Sequence, residues 1–332
     1  MLRLSSQGNK KLFQNDILET SFCGAEANVA VSLSNFGVKS FFVSKVPGND
    51  VGSAALNSLK YFGVDINYVC IGGERLGLYY LEKGASQRPS KILYDRANSA
   101  ISEAKKSDFD WNRIFEDCGW FHFTGINPAL SDNLAEICFE ACKIAKKKGI
   151  TISCDINFRS KLWSKEKAKP VMSQLMSYVD VCIGNEEDAD NVFGIEASNN
   201  DVLSGSINHE SYKEVAKKIS TQFGCKYVAI TLRTSISASI NKWSGMLYSK
   251  ESDNSFFSKE YDIHIVDRVG SGDSFAAGLI YCLVNNMNLQ DCVEFAAASS
   301  CLKHSIEGDF NRVTLEDVKN LMMGDKSGRV KR

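Results

Sequence analysis

The sequence carries no surplus charge of either sign. Its 39 lysines and arginines nearly balance 40 aspartates and glutamates, a formal net charge of -1 over 332 residues. No overall field therefore gathers nucleic acid or an anionic membrane, and any anion must be caught locally. No apolar run reaches the roughly 18 residues that a membrane span needs; the longest, Phe275 to Val284, has small residues inside it. Residues 1 to 20 hold no apolar core after Lys10 and Lys11, so a secretory signal is not expected and the reading points to the cytosol. There is no C-x-x-C pair, and the eleven cysteines are odd in number and scattered. That argues against a disulfide framework and for small buried hydrophobes. Cys138 and Cys142 stand at i, i+4 on an expected helix, where packing outweighs metal ligation because no histidine pair is near. Internal repeats and interdomain linkers are also missing. What remains, 44% hydrophobic and 24% charged, is ordinary globular composition. The length fits two domains or one large α/β unit with an appendage.

From residue 27 onward, apolar helical stretches alternate with short β-branched runs, the signature of βα units in a parallel sheet. The pattern predicts helices over 27–36, 50–62, 131–148, 165–178, 186–193, 212–223, 271–285, 290–303 and 315–323. Gly37, Gly63 and Gly194 serve as helix stops. Strands are expected over 41–46, 121–123, 150–154, 181–183 and 227–231, with 236–249 and 261–266 antiparallel. Residues 73–97 break this rhythm with short strands and Gly and Pro turns, and read as a β insertion that could serve as a lid. Residues 196–209 read as a polar surface loop and 325–332 as a polar tail.

The densest chemistry is D-R-V-G-S-G-D, Asp267 to Asp273, running straight into an apolar helix. Gly270 and Gly272 let the backbone approach a ligand, and a helix start offers unpaired N–H groups and the positive end of a dipole. Together they form an anion cradle. An acid beside a phosphate cradle repels its ligand, so Asp273 is useful there if it takes a proton from a hydroxyl attacking that phosphate. The plain structural alternative is an acid at a helix start, and these seven residues leave both open. No G-x-x-x-x-G-K-[ST] occurs, and Gly270-x-Gly272 lacks the third glycine of a dinucleotide fingerprint.

Near the other end, Cys23-Gly24-Ala25-Glu26-Ala27-Asn28-Val29-Ala30 starts an apolar helix. Alone it is weak, since Asn at a helix start is more often a cap than a ligand. In their order and contexts, the two motifs resemble the signatures of the ribokinase-like (PfkB) sugar kinases, G-G-x-x-x-N-x-A and D-T-x-G-A-G-D. Within that family the closer resemblance is to the 2-dehydro-3-deoxygluconate kinases. It covers nearly the whole chain, in nine ordered blocks: GAEANVAVSLSNFG (24–37), GLYYLE (77–82), RPSKILYDRANSA (88–100), HFTGI (122–126), DINFRSKLW (155–163), GNEED (184–188), TLRTSISAS (231–239), DRVGSGDSFAAG (267–278) and KHSIEGDFN (303–311).

The resemblance implies a three-layer α/β/α sandwich with a mostly parallel central sheet and a small β-sheet lid. One kinase domain would span 1–324, with the lid from about 8–22 and 73–100. It implies ATP and Mg2+, leaves a monovalent cation open, and implies phosphorylation of 2-dehydro-3-deoxy-D-gluconate to its 6-phosphate in the cytoplasm. It also implies roles. Asp273 would be the base, and the amides of Gly270, Ser271 and Gly272 the anion hole. Gly24 and Asn28 would contact sugar hydroxyls, and Tyr79 and Tyr94 would cover the sugar. Arg96 and Arg159 would meet the substrate carboxylate or phosphate. Asn185, Thr231, Gly270, Gly272 and His304 would lie on the nucleotide side, with Glu187 and Asp188 reaching magnesium through water.

Elementary chemistry agrees about the arginines, because a guanidinium grips a planar carboxylate through two parallel hydrogen bonds. Arg159 follows an expected strand end, where parallel sheets place ligands; its plain alternative is a surface pair with Asp155. The chain departs from the family pattern in four places. Cys23 replaces a glycine and is expected to crowd the turn at Gly24. Asp188 stands one methylene short of the family's Glu. Glu307 replaces a common Pro, which questions the stiffness of that loop. The family strand that precedes a segment like Met1-Leu2-Arg3-Leu4-Ser5 is not in the sequence. An open lid edge makes a homo-oligomer through the lid the expected assembly. Rival readings are a kinase of fructose, ribose or 5-dehydro-2-deoxygluconate, and a non-catalytic sugar-binding regulator.

Overall fold

The runs Val181–Ile183 and Val228–Ile230 hold no charged or hydroxyl side chain, which suits strands covered on both faces. In the computed structural model, which describes residues 1–196 and 209–324, both lie in the central sheet. In chain order the elements are β1 (Leu2–Ser6), β2 (Leu18–Phe22), α1 (Ala25–Asn35), β3 (Ser44–Val46), α2 (Asp50–Tyr61), β4 (Val69–Ile71), β5 (Leu78–Glu82) and β6 (Lys91–Asp95). Then come α3 (Trp111–Ile114), β7 (Trp120–Thr124), α4 (Ile126–Leu130), α5 (Asp132–Lys147), β8 (Thr151–Asp155), α6 (Lys165–Met176), β9 (Val181–Gly184), α7 (Glu186–Phe193) and α8 (His209–Phe223). The last are β10 (Tyr227–Ser235), β11 (Ile240–Ser249), β12 (Asn254–Phe257), β13 (Tyr261–His264), α9 (Ser271–Val284), α10 (Leu289–Lys303) and α11 (Leu315–Met322).

Strands β7, β8, β9 and β10 run parallel in that order, and β11 pairs antiparallel with β10 and carries β12 and β13. Successive side chains of a strand point to opposite faces, and here they feed two separate cores. Cys182, Val228, Ile230 and Met246 pack with Ile137, Met172 and Ile219 on one side. Val181, Ile183, Ala229 and Leu247 pack with Val29, Phe275, Phe295 and Val318 on the other. Two apolar faces with a helical layer on each give the α/β/α sandwich that the resemblance implies. Strands β3 and β4 form a separate two-stranded parallel sheet.

The lid is a four-stranded sheet in the order β2-β1-β5-β6. It includes residues 2–6, ahead of the expected lid boundary at residue 8: β1 lies between β2, antiparallel, and β5, parallel. Arg3 and Ser5 face inward and are buried, while Leu2 and Leu4 are only half-buried. Residues 197–208 and 325–332, within the expected loop and tail, lie outside the described residues. Among the described residues no helix is long and apolar enough to cross a membrane. Cys138 and Cys142 are buried in the core under α5, where burial pushes the Cys142 thiol up to about 12. Both side chains pack in that core.

Candidate active site

A cleft of about 710 Å³ opens where the C-terminal ends of β8, β9 and β10 meet the lid and the start of α9. Ligands of open α/β sheets bind at such strand ends. Asp155 and Gly184 end β8 and β9, Thr231 and Arg233 to Ser235 come from the C-terminal half of β10, Tyr79, Tyr94 and Arg96 come from the lid, and Gly270 to Asp273 supply the helix start. Most residues singled out in the sequence thus converge on one cavity: Gly24, Asn28, Arg159, Asn185, Glu187 and Asp188 also line it.

The floor is the turn into α9. Gly270 has φ 85°, and a Cβ there would lie 2.2 Å from the carbonyl oxygen of Asp309, so the turn closes only around glycine. A Cβ on Gly272 would meet no atom within 4 Å, so its backbone faces open space. First-turn amides lack helical acceptors and can receive an anion. Beside them, desolvation pushes the Asp273 carboxyl up to about 7; a hydrogen bond from Asn28 and the charge of Arg159 oppose this, and Glu26 and Asp309 add to it. Asn28 Nδ2 donates to Asp273 Oδ2 at 2.6 Å, while its buried Oδ1 finds no partner among the described residues. Asn28 thus holds the acid with one end and offers an acceptor with the other.

Desolvation lowers the pKa of Arg96, Tyr94 works against that, and the nearby charge of Arg159 lowers it further, which places the two candidate arginines close together. Arg96 is buried, sits 4.1 Å from the centre of the Tyr94 ring, and has Nε and Nη2 without hydrogen-bond partners among the described residues. Buried unpaired donors are costly and mark a place for an acceptor. Arg159 donates Nη1 to the Phe158 carbonyl and is not tied to Asp155 by a short ion pair. Asp155 and Asp188 face the same space. Burial pushes Asp188 up to about 6, against Arg159 and the amides of Phe158 and Asn185. Asp155 is pushed well above the ordinary range by burial, then by Asp188 and Asp273. Asn185 caps α7 by accepting from the Asp188 amide, and Glu187 beside it is exposed. These hard oxygen donors, one buried and one solvated, suit a magnesium ion that keeps several waters.

The Tyr79 ring lines the cleft from the lid, and its hydroxyl lies 2.7 and 2.8 Å from the two oxygens of Asp309. Two expectations need correction. His304 is not among the lining residues. Its Nδ1 is held at 2.8 Å from the Ser300 carbonyl, its ring meets Trp243 edge-on, and burial pushes it down to about 4. Cys23 does not crowd the Gly24 turn, because its side chain packs in a small cluster with Tyr79 and Leu81, and a Cβ on Gly24 would touch only Ala27 at 3.6 Å. Glu307 ties its loop to the lid through Lys83 at 2.7 Å.

Sequence reasoning missed Arg233 and Arg268, which line the cleft beside Thr231 and the anion cradle. Burial, then the nearby charge of Arg233, lowers the pKa of Arg268. Two cations this close suit a polyphosphate. The signal was present: Arg268 is inside the D-R-V-G-S-G-D motif, and Arg233 lies in β10, two residues after Thr231.

A family profile described as pfkB family carbohydrate kinase matches residues 6–311. Among curated proteins, the 2-dehydro-3-deoxygalactonokinase of Haloferax volcanii is 28% identical, over 99% of this chain and 96% of its own. The 2-dehydro-3-deoxygluconokinase of Bacillus subtilis is 28% identical, over 87% and 82%. Among solved structures, that of a 2-dehydro-3-deoxygluconokinase from Thermotoga maritima has a TM-score of 0.94 and 49% identity, over 98% of this chain and 97% of that one.

Proposed function

The chain belongs to the pfkB family of carbohydrate kinases and is a sugar kinase; from that premise we propose that it phosphorylates a sugar acid, 2-dehydro-3-deoxy-D-gluconate, at the 6-hydroxyl with ATP. The observation that carries the substrate class is Arg96, whose two buried donors have no partner among the described residues and whose neighbour is a second cation, Arg159. A carboxylate supplies the missing acceptors and charge. The acids named for the Haloferax, Bacillus and Thermotoga proteins support the same class.

In this reading the carboxylate end of the sugar rests on Arg96 and Arg159, and Tyr94 covers it. The reacting hydroxyl lies against Asp273, positioned by Asn28. Asp273 takes the hydroxyl proton as the oxygen forms its bond to the γ-phosphorus and the bond to the bridging oxygen of ADP breaks. A base of pKa about 7 suits work at neutral pH. The amides of Gly270, Ser271 and Gly272 receive the equatorial oxygens, and Arg233 and Arg268 neutralise the nucleotide phosphates. Asp188 and Glu187 would hold Mg2+ through water, and the bound ion would shield phosphate charge. Asn185 and Thr231 flank the nucleotide. The open edges of the lid sheet, with Phe13, Ile17 and Leu93 exposed, support contact between two copies there.

The test is ATP consumption across a panel of sugars and sugar acids, including 2-dehydro-3-deoxygalactonate, fructose, ribose and 5-dehydro-2-deoxygluconate. The reading expects turnover with 2-dehydro-3-deoxygluconate and little with neutral sugars. A clear preference for a neutral sugar would overturn it.

A further inference from the structure

Behind the anion-cradle turn lies a charged cluster that the reaction above does not use. Lys303, the last residue of α10, is 0% exposed. Its ammonium donates to two main-chain carbonyls, those of Ile306 at 3.1 Å and Asp267 at 3.5 Å. Burial lowers its pKa, and the charges of Asp267 and Asp309 work against that. Both carboxylates are already engaged by buried Arg3, at 2.5 and 2.8 Å. Asp267 also accepts the amides of Val269 and Gly308 at 3.1 Å. The cluster is thus two cations against two anions, enclosed beneath the place where a phosphoryl group must sit.

A buried ammonium held by carbonyl oxygens is expensive to desolvate, and an apolar side chain would pack there at lower cost. Its position explains it. The Asp267 carbonyl opens the turn that ends in the cradle, and Ile306 belongs to the loop leading to Asp309, whose carbonyl packs against Gly270. The carbonyl of His304 receives the amides of Val266 and Asp267, so the same two segments meet again beside the ammonium. Without Lys303 the cluster carries a net negative charge under an anion site, which opposes binding and charge development there.

We propose that Lys303 is a tethered monovalent cation: it joins the 267–270 turn to the 304–308 loop, offsets the charge beneath the anion cradle, and frees the kinase from any need for potassium or ammonium ions. The inference rests on the phosphoryl-transfer reading but not on the identity of the sugar. It makes Lys303 a positioning residue that acts through the Asp267 carbonyl.

The experiment uses whichever sugar the wild type phosphorylates, so an error in substrate class shows first and separately, in the panel. Wild-type activity is compared in potassium chloride and in tetramethylammonium chloride at equal ionic strength, alongside Lys303→Ala, which leaves room for an ion, and Lys303→Met, which fills it. Wild-type kcat is expected to match in the two salts. Lys303→Ala should lose about 10²-fold in kcat with sugar KM changing far less. It should recover about tenfold in potassium or ammonium and gain thermal stability from them, as binding to the native state requires. Lys303→Met should lose kcat without recovery. Wild-type activation by potassium beyond about threefold overturns the proposal whether or not the variants fold. So does a folded Lys303→Ala with full activity, or one whose kcat and Tm ignore both ions.

Discussion

Asp273 stands in a cleft that disfavours its charge, with desolvation raising its pKa to about 7 while Asn28 holds one carboxylate oxygen. Asp273→Asn is expected to lower kcat by about 10²- to 10⁴-fold with a much smaller change in sugar KM, measured by steady-state kinetics. In the wild type the rate should rise with pH through about 7 as the carboxylate forms. Stability follows the opposite sign. The native state keeps a proton that the unfolded chain releases near the ordinary 3.8, so native stability falls as pH rises from about 4 to about 7. Asp273→Asn should therefore melt higher than wild type at pH 8, by up to ~4 kcal/mol less what solvent in the cleft screens, and lose that advantage near pH 4. Arg96→Met or Arg159→Met should cost about 2 to 5 kcal/mol in kcat/KM for the sugar acid and far less for any neutral sugar accepted. Equal losses on both would assign these arginines to phosphate or lid. Asp273 and the arginines were legible because each lies inside a local pattern. The hydroxyl of Tyr79 was not, because its partner Asp309 is 230 residues away and no local spacing reports that meeting.

Strand β1 joins the lid to the floor of the cleft. Its Arg3 is buried between Asp267 and Asp309, and although burial works against its charge, Asp267, Tyr79 and Asp309 more than offset this and raise its pKa. Arg3→Met leaves those carboxylates with the neutral Tyr79 hydroxyl, the Val269 and Gly308 amides and Lys303, and without their ion-pair partner. It should cost about 3 to 5 kcal/mol, read as a lower urea midpoint with an unchanged slope. A loss below about 1 kcal/mol would mean that the pair is not a structural tie. The sequence showed most helices and their ends: Gly37, Gly63 and Gly194 adopt φ 82°, 76° and 68° where the stops were expected. It hid β1, since the inward positions there are Arg3 and Ser5 and the pattern runs against apolar burial. It also hid α3, β4 and β12, which are four residues or fewer and too short to show a period.

For the molecule as a whole, the layers could be read from alternation along the chain and a lid with an open edge was expected, but which side chains lie exposed on that edge appears only once the sheet is built. The proposed lid contact predicts a particle of twice the 36.7 kDa chain mass by light scattering. Leu93→Lys on the outer lid strand, where Leu93 is exposed, should return it to a monomer with its melting temperature nearly unchanged. A wild type that is monomeric at tens of micromolar would remove the lid from that role. The two cores also differ in how they draw on the chain. One is assembled from residues 104–248, a nearly continuous stretch. The other joins Val29 and Leu33 to helices that begin after residue 270, and Asn28 meets Asp273 across 245 residues. Loop closure over such a span comes late, because its entropy must be met before the contacts repay it. On the ribosome, the first core can close while the chain is still growing, whereas the cleft has neither its floor nor Asp273 until its final helices emerge. A nascent chain of this protein therefore remains catalytically silent through most of its own synthesis.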